Sequence, residues 1–187
     1  LLPKGFSTIA ILGTSPNEAQ GYISTYLNLF INVTQVGFRL NQQRGKIVFF
    51  VGDDWSRHVE EYRQQIRNVV DFPIDYDDLV RRVGPESLCQ SFIYSKNGAT
   101  IDAAVIFLSS PLRTYEFDRC SYRMILQMFG FKSGLNPPDK VLRDDEPGDR
   151  LVDMAALMIL YSLPEPDRTV AKLRGAVDRL VQNPDSR

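Results

Sequence analysis

Histidine is almost absent from this chain: of 187 residues only His58 is a histidine, and Cys89 and Cys120 are the only cysteines. One imidazole cannot supply the two or three that a catalytic zinc site needs, so no such site can be built within one chain. A Ser-His-Asp assembly from Ser56, His58 and Asp54 fails on geometry, since neighbours in sequence rarely point at one another. A dominant charge is missing too. With 22 basic against 23 acidic residues the formal charge is -1, which excludes a large positive field for nucleic acid or anionic lipid. No apolar run approaches the ~20 residues that cross a bilayer. Gly45, Gly52 and Gly98 fall in separate turns, so no glycine-rich phosphate loop forms.

What is present reads as one globular domain over residues 1–187. That length buries roughly 70 % of the unfolded surface. The chain starts Leu1-Leu2-Pro3 rather than with methionine, and the expectation is that an N-terminal export signal has been removed. Two cysteines permit one bridge or two buried free thiols.

Apolar positions Ala19, Tyr22, Ile23, Tyr26, Leu27 and Phe30 have helical spacing and predict a helix over 18–31. Thr34 to Leu40 and Lys46 to Val51, joined by the polar stretch 41–45, read as a hairpin. Ser56 is a candidate N-cap for a helix running to Val70 on the line Val59, Tyr62, Ile66, Val69. A short helix is expected over 76–83. Leu88 to Ser95 and Thr100 to Leu108 form the clearest hairpin, with Asn97-Gly98 suited to its turn. The unbroken apolar run from Ala103 to Leu108 predicts a strand covered on both faces. After the helix around Cys120 and a polar loop from Lys132 to Gly148, helices are expected over 151–163 and 167–182.

Acidic residues cluster at Asp71, Asp75, Asp77 and Asp78 and again at Asp144-Asp145-Glu146, without the alternating ligands and glycine of a calcium loop. They read as helix N-terminal charges and solvated loop. Asp53-Asp54 reads as turn and capping chemistry.

The segment Cys120-Ser-Tyr-Arg-Met-Ile-Leu-Gln-Met-Phe-Gly-Phe131 carries the most information. Its apolar residues predict a buried helix, terminated at Gly130. It resembles the active-site helix of a zinc peptidase, H-E-x-x-H with a later Gly. Arg123, Met124, Gln127 and Gly130 occupy those four places. A guanidinium stays protonated, an amide is a poor zinc ligand, and Met124 cannot take a proton from water.

The chain from Cys89 onward resembles a bacterial family of exported proteins, domain of unknown function 2927, related to the zincin-like peptidases. The likeness rests on Cys89, on Ile101, Ala104, Ile106 and Leu108, on Cys120, Ile125, Gln127, Gly130 and Phe131, and on Leu160-Tyr161. The family's two Glu positions fall on Arg123 and Met124, and its Asn-Asp after the helix is not evident at Lys132-Ser133-Gly134. The likeness is strongest over 88–182.

The resemblance implies an α+β, zincin-like fold: a mixed sheet with a central helix over about 113–131 and C-terminal helices. It implies a Cys89–Cys120 disulfide and therefore an extracytoplasmic place, the periplasm or cell surface. It implies no catalytic residue, metal or cofactor, with Arg123, Met124, Gln127 and Gly130 as vestigial zincin positions. The expected role is a pseudo-peptidase that binds protein partners, or serves as a structural subunit, within a larger envelope assembly. Membrane association would come only through a partner or a lipid anchor. The alternative expectation is a metal-independent hydrolase using carboxylates.

Overall fold

The computed structural model describes residues 2, 6–13, 16–41, 43–52, 59–60, 62–82, 89–95, 100–109, 114–129 and 147–164. In chain order these form β1 (Phe6–Gly13), α1 (Pro16–Thr34), β2 (Gly37–Leu40), β3 (Ile47–Gly52), α2 (Arg63–Val69), α3 (Tyr76–Arg82), β4 (Cys89–Tyr94), β5 (Ala103–Ser109), α4 (Thr114–Met128) and α5 (Pro147–Ser162). The strands make one mixed sheet in the order β2-β1-β3-β5-β4. β1 is parallel to both β2 and β3, and β3 to β5. Among the described strands only β4 is antiparallel, and among them it lies at the edge beside β5. This is a mixed α+β fold with a helix, α4, packed against the sheet and α5 following it.

Alternate residues of the central strands feed two separate cores. Ile47, Phe49 and Val51 of β3 and Ala104, Ile106 and Leu108 of β5 pack with Ile23 and Phe30 of α1, Ile125 of α4 and Leu157 of α5. Val48, Phe50, Val105 and Phe107 pack on the opposite face with Ile66 of α2, Leu79 of α3 and Phe92 of β4. A strand covered on both sides needs no polar alternation. The apolar run of β5 is therefore buried throughout save Ser109.

The expected hairpin between 34–40 and 46–51 does not form. β1, for which no strand was expected, lies between its two arms, and both run parallel to it. Such strands cannot share a tight turn. A stagger makes the short connection feasible: Leu40 and Ile47 both lie level with Ile9 of β1. Residues 41–46 therefore have only to cross β1 at one level. Where the crossing begins, the Asn41 side chain accepts the Gln43 amide at 2.9 Å. Gly45 passes against the backbone of β1, where a Cβ would lie 2.8 Å from Ala10 N. Its amide donates to Val69 O at 2.8 Å, tying the crossing to the end of α2.

The other elements lie close to expectation. The first helix extends to Pro16–Thr34 and ends at Gln35, whose φ of 59° is left-handed and whose amide donates to Ile31 O. α2 begins at Arg63, so the expected cap Ser56 lies outside the described residues, as do the Asn97-Gly98 turn and the helix expected over 167–182. The strands on either side of that turn pair antiparallel from Cys89↔Leu108 to Tyr94↔Ala103. Among the described residues no helix is long and apolar enough to cross a membrane.

Candidate functional site

α4 is buried on most of its circumference, and even Arg119 and Ser121 on it are covered. Cys120, Tyr122, Ile125, Met128 and Phe129 are fully covered, and Met124 retains only 5 % of its exposure. Arg123 and Gln127, one turn apart, are half-buried. Cys120 Sγ is bonded to Cys89 at the start of β4, with Cα atoms 5.9 Å apart. Farther along the same pair of elements, the Ser91 hydroxyl donates to the Gln127 side-chain oxygen. The edge strand is thus tied to α4 twice, once covalently.

Two of the positions expected to be vestigial are engaged in packing. Gln127 is an amide engaged with β4, and Met124 is buried. Gly130 lies outside the described residues, as do His58, Asp53, Asp54, Ser56 and Asp144-Asp145-Glu146. Among the described residues, no three His, Cys, Asp or Glu side chains are grouped to hold a metal ion. The acidic cluster before and in α3 is used locally: Asp75 accepts the Asp78 amide at 3.0 Å, Asp77 meets Arg63 at 3.0 Å and Asp78 meets Arg82 at 3.2 Å.

A polar cluster on the other side of α4 went unforeseen. Arg150 of α5 donates to Asp118 of α4 at 2.9 Å and to the Tyr26 hydroxyl of α1 at 2.8 Å. The same hydroxyl donates to the second oxygen of Asp118. The guanidinium lies over the Tyr122 ring, 4.7 Å from its centroid, and the Tyr122 hydroxyl donates to Asp153 at 3.1 Å. One arginine joins three helices, α1, α4 and α5, as a clamp. Spacing in sequence carries no sign of it, since Tyr26 has the position of a core residue in an amphipathic helix.

Burial holds several phenols protonated. Desolvation, helped by its hydrogen bond to Asp118, pushes Tyr26 up to about 12. Desolvation alone leads for Tyr94, up to about 12, and raises Tyr76 further. In the unfolded chain the same groups ionise near pH 10. Their contribution to stability is therefore complete below pH 10 and drains away as pH rises toward 12. In an alkaline titration followed by tyrosinate absorbance, three of the eight tyrosines are expected to ionise only as the protein unfolds. Smooth ionisation of all eight near pH 10 in folded protein would contradict this.

Tyr76 and Tyr94 differ from Tyr26 in that their hydroxyls are buried with no hydrogen-bond partner among the described residues. An unsatisfied buried hydroxyl costs about 1–3 kcal/mol. Tyr76→Phe, which keeps the ring, is therefore expected to stabilise the fold by about 1 kcal/mol. Chemical denaturation checks it, and a destabilised variant would show that the hydroxyl is bonded in solution.

No family model, curated protein or solved structure matches this chain.

Proposed function

We propose that this chain is a non-catalytic, zincin-like domain of the bacterial cell envelope that holds a protein partner in extended form along β4, as a subunit of a larger assembly. The observation that carries this reading is β4 itself. Sheet edges are ordinarily protected by charge, proline or a bulge. Cys-Gln-Ser-Phe-Ile-Tyr has neither charge nor proline, and its register with β5 is unbroken over six pairs. Such a strand suits the addition of another strand, where backbone hydrogen bonds supply affinity and alternate side chains supply specificity. The two ties to α4 fix it in place beforehand, which lowers the entropy lost on binding.

The zincin-like reading of the scaffold is supported by the mixed sheet, by α4 packed on it beside the edge strand, and by the i, i+4 placement of Arg123 and Gln127 on that helix. Loss of peptidase chemistry is supported by the residue types themselves and by the engagement of Gln127 with Ser91. The envelope is supported by the Cys89–Cys120 bond, which persists in oxidising compartments. Attachment to the membrane would run through the partner or a lipid anchor.

The test places a photoreactive side chain at Gln90 of β4 or at Gln65 of α2 in the native host. Discrete protein adducts from position 90 and none from position 65 are expected. Adducts from both positions, or from neither, would overturn edge-strand binding. Stoichiometric zinc retained by the native protein after dialysis would overturn the pseudo-peptidase reading separately.

A further inference from the structure

We draw no further inference here: the strongest candidate, the crevice at the carboxyl ends of β1 and β3 between Gly13 and Gly52, where α1 begins, rests on a helix N-terminus at a point where the chain's connections diverge, with no second observation among the described residues that points to a ligand.

Discussion

Gly13→Ala is expected to destabilise the protein by roughly 3 kcal/mol or more. Two independent causes act at this position. Its φ of +121° is one that L side chains rarely adopt, and holding a residue there costs about 1–3 kcal/mol. A Cβ would also lie 1.6 Å from the carbonyl oxygen of Val51. That atom belongs to the backbone of the neighbouring parallel strand, paired with Gly13 at the top of the ladder. It cannot move without parting β1 from β3. For a chain of this length the change lowers the melting temperature by about 10 °C. Gly21→Ala supplies the internal control, because nothing lies within 4 Å of a Cβ at that position in α1. There the substitution is expected to stabilise by about 0.5–1 kcal/mol, through helix propensity. Equal effects at the two positions would show that the close contact at Val51 is not present in solution.

The contrast between these glycines reflects what sequence can reveal. Local pattern marks α1, α4 and the β4–β5 pair because each is specified by spacing within a few residues. The turn signal Asn97-Gly98 and the apolar run of β5 point to one arrangement, and the strands adopt it. β1 was hidden because a strand buried on both faces lacks alternation, and its apolar core, Ile9 to Leu12, is short. Missing it turned β2 and β3 into a false hairpin. The correct pairing depends on a strand some 30 residues earlier, and no local propensity encodes that.

The candidate site divides the same way. Residue identities at Arg123, Met124 and Gln127 suffice to exclude zinc ligation, since that is a matter of chemistry. Where those side chains point is a matter of packing. The engagement of Gln127 with Ser91 depends on β4 being the edge strand next to α4. The Arg150 clamp joins residues separated by 32 and 124 positions. Its members carry opposite charges and aromatic rings at places that, one helix at a time, read as an ordinary surface or core. Only tertiary assembly brings them together.

Removing the bridge, as Cys89→Ala with Cys120→Ala, is expected to destabilise the protein by roughly 3–4 kcal/mol. The sequence separation of 31 residues sets that figure through the chain entropy restored to the unfolded state. Because β4, β5 and the first half of α4 lie within the loop, the unfolded variant is also more expanded. The slope of stability against urea should therefore rise while the midpoint falls. Both cysteines are buried, at 7 % and 0 % exposure, so alanine leaves a small void that adds to the loss. The change should be felt unevenly. With the covalent tie between the edge strand and α4 gone and the Ser91–Gln127 hydrogen bond remaining, amide exchange in β4 should accelerate before that of β3, which is paired on both sides. Two reactive thiols in unreduced, denatured wild-type protein would show that the bond does not form. It would also remove the main support for an oxidising compartment. An unchanged urea midpoint in the double variant, with wild-type thiols unreactive, would instead show that the bridge forms without stabilising the fold, and that packing and the Ser91–Gln127 hydrogen bond hold β4 against α4.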